Sequence, residues 1–87
     1  MPTVVATHDV KDVDHWLSSP RRAELLGPLG ITDIRTLVDP EDRTHVSLSM
    51  DVPDMDAMMA VLRSEAGAAA MEYDGVLEET LVLYVQE

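Results

Sequence analysis

Residues 31–50, ITDIRTLVDPEDRTHVSLSM, contain two β-rich runs separated by turn-forming residues. β-Branched and aliphatic side chains recur in residues 31–38 and 44–50, a composition typical of strands. The intervening DPED stretch, residues 39–42, favours a tight turn. This part of the chain therefore predicts a β-hairpin.

The second strand of the hairpin alternates between two kinds of side chain. One set is mostly apolar and comprises Thr44, Val46, Leu48 and Met50, whereas the other is polar and comprises His45, Ser47, Ser49 and Asp51. Successive side chains of a strand point to opposite faces of its sheet, so one face is predicted to be covered by helices and the other left open. On the first strand, Ile34, Thr36 and Val38 are predicted to join the covered face, which turns Asp33, Arg35 and Leu37 to the open one.

The residues on either side of the hairpin predict helices and two further strands. Residues 3–8 form a short stretch that is rich in β-branched side chains, which favours a first strand. Asp12 is a predicted helix cap, and the Ser18-Ser19-Pro20 stretch divides the first helical region in two. Its second part is expected to end at Gly27-Pro28, with Gly27 as a left-handed cap.

After the hairpin, Asp54 and Ser64 are predicted to cap two more helices, the first with an apolar stripe of Met55, Met58, Met59 and Leu62. Residues 76–85 form a predicted last strand, with Leu77, Leu81, Leu83 and Val85 on one side. The predicted fold is therefore α+β and ferredoxin-like, of order β-α-β-β-α-β with a four-stranded antiparallel sheet, in a single domain over residues 1–87.

Composition excludes several classes of function. Seventeen acidic and six basic residues give a net charge of −11, which repels nucleic acid and anionic membranes. The chain contains no cysteine, no apolar run long enough to span a bilayer and no secretory leader, so we expect a cytoplasmic protein without membrane contact. No spacing of His and carboxylates supports a metal site, and we expect no metal or other cofactor.

Two stretches carry a family resemblance: VATHDV with DVDHW in residues 5–16, and LRSE, AME and GV within residues 62–76. Together with the element order, they resemble the dimeric α+β barrel superfamily, in particular small bacterial proteins similar to antibiotic-biosynthesis monooxygenases. The resemblance implies a homodimer joined through the open sheet faces, around a cavity. It also implies a range of functions: cofactor-independent oxygenases, haem-degrading enzymes, isomerases, cyclases and non-catalytic binders.

One departure from that family lowers the weight of two activities. The monooxygenases and haem-degrading enzymes use a pocket asparagine, and this chain contains no Asn. The resemblance therefore predicts the fold more specifically than the reaction.

The candidate site residues are His8, Arg35, His45, Ser47, Ser49 and Tyr84. His8 could act as a general base or be a structural histidine that bonds the nearby backbone, and the sequence does not decide which sheet face it occupies. Arg35 and His45 are predicted to lie near each other on the open face, where they would bind an anionic ligand or pair with acidic residues such as Asp33 or Asp51. Trp16 is predicted to be core.

Two functions remain open at this point. The chain is either a dimeric barrel that binds a small, partly apolar or aromatic metabolite, as a cofactor-independent monooxygenase, isomerase or cyclase, or a non-catalytic ligand-binding or interaction module. The resemblance and the polar face favour the first function. The missing Asn and the 3% aromatic content favour the second.

Overall fold

The computed structural model describes residues 2–87 of the chain. Four strands and four helices follow one another as β1 (Thr3–Val10), α1 (Val13–Ser18), α2 (Arg21–Leu26), β2 (Thr32–Val38), β3 (His45–Asp51), α3 (Met55–Leu62), α4 (Glu65–Asp74) and β4 (Val76–Val85). A short 3-10 helix, Gly27–Leu29, follows α2 directly. The order confirms the predicted ferredoxin-like fold with two divided helical regions.

The strands form one antiparallel sheet in the order β2-β3-β1-β4. The predicted hairpin is its β2–β3 edge, and its second strand alternates as expected: Val46, Leu48 and Met50 are buried. On β1 the buried residues are Val4, Ala6, His8 and Val10. All four helices lie on the side of these side chains, which we call the covered face.

Local capping explains where the helices begin. Asp12 accepts hydrogen bonds from two backbone amides of α1, Asp54 caps α3, and Ser64 caps α4, as predicted. The expectation for Gly27 was wrong, because this residue has φ −54 and starts the 3-10 helix, while the left-handed residue is Gly30 at φ 77. Among residues 2–87, no helix is long and apolar enough to cross a membrane.

The last strand departs from regular alternation. The β1–β4 register shifts between Thr7 and Asp9, so that Leu77 pairs with Asp9 on the open face while Val76 packs against the core. The prediction that Leu77 shares a side with Leu81 and Leu83 was therefore wrong. The irregularity is held by Thr80, whose hydroxyl accepts a hydrogen bond from the Asp9 amide at 2.8 Å.

Candidate functional site

The sheet separates two candidate sites. On the covered face, a cavity of about 80 Å³ lies between the sheet and the helices, and we call it the internal cavity. On the open face, a broad, shallow depression of about 510 Å³ lies at the end of β1 and the beginning of β3. We call it the open-face pocket. The predicted site residues are divided between the two.

The internal cavity has mostly apolar walls. They come from the sheet and from α2, α3 and α4 and include Leu25, Leu48, Met50, Met58, Leu62 and Met71. Three titratable residues complete the lining: His8, Arg22 and Asp74. Its volume is roughly half of the ~150 Å³ that admits benzene in an engineered apolar cavity, so the observed form admits a few heavy atoms.

His8 is the polar group of the cavity that lacks a partner. Its side chain is 6% exposed, and its Nδ1 is buried with no hydrogen-bond partner among residues 2–87. The ring meets Trp16 edge to face, with centroids 5.5 Å apart. Burial lowers the pKa of His8 below its usual 6.5, so the imidazole is neutral at pH 7.

Arg22 and Asp74 form a buried charge network beside His8. The Arg22 Nη1 lies 3.9 Å from an Asp74 oxygen and donates to the Trp16 carbonyl at 3.1 Å, and the guanidinium stacks over the Trp16 ring at 4.6 Å. The Ser19 hydroxyl donates to the Asp74 carboxylate. Both charges therefore have partners, whereas the buried His8 Nδ1 has none within the described residues 2–87.

The open-face pocket carries a different histidine. His45 Nδ1 bonds the Asp9 carboxylate, and its Nε2 lies 3.3 Å from Asp42. The hydrogen bond to Asp9 raises the pKa of His45 above 6.5. Ser47, Thr7 and Thr80 line the same pocket. The histidine is exposed and already paired with carboxylates, so it offers no free group for an anion.

Arg35 and His45 share the open face, but they are not close together. Arg35 lies opposite Ser49, four residues along β3 from His45. At about 3.4 Å per residue, the two positions are about 14 Å apart along the strand direction. Arg35 instead pairs with Asp33 at 3.3 Å. The prediction that Arg35 and His45 lie near each other was wrong, because sheet register rather than shared face determines proximity, and the alternative pairing of Arg35 with Asp33 is the one observed.

The remaining predicted residues also lie on the open face. Ser49 and Tyr84 belong to one cross-strand row with Val5 between them, whereas Ser47 lies in the next row. Tyr84 is 59% exposed and outside the open-face pocket. Of the six predicted site residues, only His8 lines the internal cavity.

Sequence reasoning did not select Arg22 and Asp74. In the sequence, the position of Asp74 before Gly75 indicates only the end of a helix. Arg22 follows Arg21 and resembles a surface arginine. Only docking of α2 against the end of α4 brings them together. A signal existed in Arg22 itself: it lies three to four residues before the apolar Leu25 and Leu26, hence on their side of the helix.

Comparison with known proteins identifies the fold. No protein-family profile and no curated protein sequence matches the chain. Among solved structures, a candidate antibiotic biosynthesis monooxygenase from Bordetella bronchiseptica superposes with a TM-score of 0.74 at 13% identity, covering 99% of this chain and 94% of that one. One from Nitrosomonas europaea gives 0.68 at 12% identity, covering 100% and 97%.

A further structure described as an antibiotic biosynthesis monooxygenase gives a TM-score of 0.65 at 16% identity, covering 100% of this chain and 97% of that one. These identities are low, so the likeness concerns the fold and not the reaction. The resemblance predicted from the sequence is confirmed at this level: the chain has the ferredoxin-like fold of the antibiotic biosynthesis monooxygenase structures.

Proposed function

We propose that this chain binds a small, partly apolar metabolite in the internal cavity, with His8 as its polar contact. The observation that carries the proposal is the buried His8 Nδ1 without a partner, in a cavity with apolar walls. An unpaired buried polar atom costs about 1–3 kcal/mol. A ligand hydroxyl or carboxyl group at this nitrogen would recover that cost.

The same arrangement supports a reaction that begins with proton abstraction. A neutral imidazole can take a proton from a phenol or an enolisable carbon, leaving a phenolate or enolate. Arg22 lines the same cavity and would stabilise that anion. This step is common to cofactor-independent oxygenation and isomerisation.

We further propose that the protein is a homodimer joined through the open face. Leu37, Val82 and Tyr84 lie on this face and are 50%, 45% and 59% exposed. Leu37 and Val82 belong to one cross-strand row, with Ser47 and Thr7 between them. A second copy would cover this row and close the open-face pocket.

A second candidate function has its own support. The internal cavity is small, and Arg22 and Asp74 already satisfy each other. A protein with these properties could use the cavity-lining residues as ordinary core and act as a non-catalytic interaction module. In that case no ligand would accompany the purified protein.

Native mass spectrometry of the purified protein tests the proposal against this alternative. A small molecule that copurifies with the wild type and with His45→Gln, but not with His8→Gln, would support binding at His8. A ligand retained by His8→Gln would contradict it. Titration of phenol and of butyrate, followed by NMR of the histidine rings, tests the cavity directly: His8 signals should shift, and His45 signals should not.

A further inference from the structure

We infer that ligands reach the internal cavity through the groove between α2 and α4, by separating Leu25 from Ala70. This inference rests on the proposed ligand-binding function. The groove is an open depression of about 400 Å³ on the helical surface, and its walls include Arg21, Ala66 and Tyr73.

Two side chains form a shared wall between the groove and the cavity. Leu25 of α2 and Ala70 of α4 line both spaces, and both are half-buried. Ala70 contributes a single methyl group. Leu25 is not branched at Cβ, so its side chain can change rotamer. Leu25 and Ala70 are therefore the side chains that the cavity and the groove have in common.

The other depressions make poorer routes. The open-face pocket shares only His8 with the cavity, and the hydrogen-bonded backbone of the sheet lies between them. A groove beside α4 and β4 shares only Val76, and its rim carries Glu72, Glu78 and Glu79. These carboxylates would repel an anionic ligand.

The helix that carries Leu25 is short. Helix α2 has six residues, fewer than an isolated helix needs for stability, so its position depends on its contacts. The Arg22–Asp74 pair and the Ser19–Asp74 hydrogen bond hold the first turn of α2, whereas Leu25 lies in its last turn. Leu26 anchors this turn in the core at 5% exposure, so the opening consists of a rotamer change of Leu25 while Leu26 and the charged network stay in place.

The charges along this route suit a carboxylate or phenolate. Arg21 lies at the rim with its guanidinium over the Tyr73 ring at 4.6 Å, and Arg22 lies inside. Glu24 is 3.8 Å from Arg21, but this exposed pair leaves much of the guanidinium accessible. Glu24 at the rim and Asp74 inside balance the two arginines, so the route is close to neutral and repels an anion less than the rest of a chain with a net charge of −11.

Cysteine labelling tests the route without any ligand. The chain has no cysteine, so Met58→Cys places one thiol inside the cavity, at a position that is 1% exposed. Its reaction with methyl methanethiosulfonate is followed by mass spectrometry. Adding Ala70→Leu thickens the shared wall, and we expect labelling to slow by about tenfold or more, the effect of a barrier about 1.4 kcal/mol higher.

Ala68→Leu is the matched control. Ala68 is on the same helix but lines the groove beside β4 instead, so the same substitution should leave the labelling rate unchanged. Equal rates in both variants would overturn the inference, and so would slowing by Ala68→Leu alone. Labelling no faster than global unfolding, measured in urea, would also overturn it, because no route would then exist in the folded protein.

Leu62→Cys is a second thiol site in the cavity if Met58→Cys does not fold. Because labelling needs no ligand, its outcome separates the two proposals. If the introduced thiol is labelled at the expected rates but no ligand copurifies, the entry route is supported and the proposed ligand-binding function is contradicted. If a ligand binds at His8 but Ala70→Leu does not slow the labelling, the proposed function is supported and the entry route is contradicted.

Discussion

The two faces of the sheet treat neighbouring histidines in opposite ways. His8 and His45 are on adjacent strands, and His45 lies opposite Asp9, the residue after His8. Under the helices, burial lowers the pKa of His8. On the open face, the hydrogen bond to Asp9 raises the pKa of His45.

The difference shows that environment, more than residue type, determines the protonation and pairing of each histidine. The helices exclude water from His8, so its ring is neutral, and its buried Nδ1 has no hydrogen-bond partner among residues 2–87. His45 has more solvent but is surrounded by Asp9 and Asp42, which use its ring nitrogens. The covered face thus holds a neutral, buried histidine, while the open face holds a histidine paired with carboxylates.

Removing one buried charge from the covered face should have the largest effect. Asp74→Asn leaves Arg22 without a countercharge, at side chains that are 6% and 13% exposed, and we expect a loss of about 3 kcal/mol in unfolding free energy. The matched change on the helical surface, Glu24→Gln, breaks an exposed pair and should cost less than about 0.5 kcal/mol. Urea denaturation measures both, and equal effects would mean that the buried pair contributes no more than a surface pair.

The open face is tested by association. Tyr84→Asp places a charge on the surface proposed to meet a second copy, and we expect the dimer dissociation constant to rise by about tenfold or more, or about 1.4 kcal/mol. Tyr73→Asp is the same change at an exposed tyrosine on the helical side, and it should leave association intact. Sedimentation equilibrium compares the two. A monomeric wild type at micromolar concentration would remove the dimer proposal.

The two histidines should titrate on opposite sides of pH 6.5 in the wild-type protein. NMR of the ring protons gives both midpoints directly. Because the folded pKa of His8 is lowered, its contribution to stability falls as the pH drops below about 6.5. The folded pKa of His45 is raised, so its contribution is present below pH 6.5 and is lost as the pH rises through the folded value.

A His8 midpoint above that of His45 would reverse the comparison between the two faces. Two variants refine the test. In His45→Gln, the decrease in stability as the pH rises through the pKa of His45 should disappear. In His8→Gln, the decrease in stability below about pH 6.5 should disappear.

Local patterns in the sequence determined the elements and most of their boundaries. Alternation in residues 44–51 placed Val46, Leu48 and Met50 on the covered face, and cap residues such as Asp12 and Ser64 located helix starts. These features depend on interactions within a few residues, which a sequence displays directly. The overall α+β order followed from them.

Only the tertiary structure determined which residues lie together at the candidate site. Whether His8 points under the helices depends on the strand register of β1, and the pairing of Arg22 with Asp74 depends on how α2 docks on α4. Register likewise placed Arg35 opposite Ser49 instead of beside His45, and the irregularity at Thr80 turned Leu77 to the open face. Such arrangements join residues tens of positions apart, and many packings satisfy the same local pattern, so the sequence determined the framework and the packing determined the chemistry.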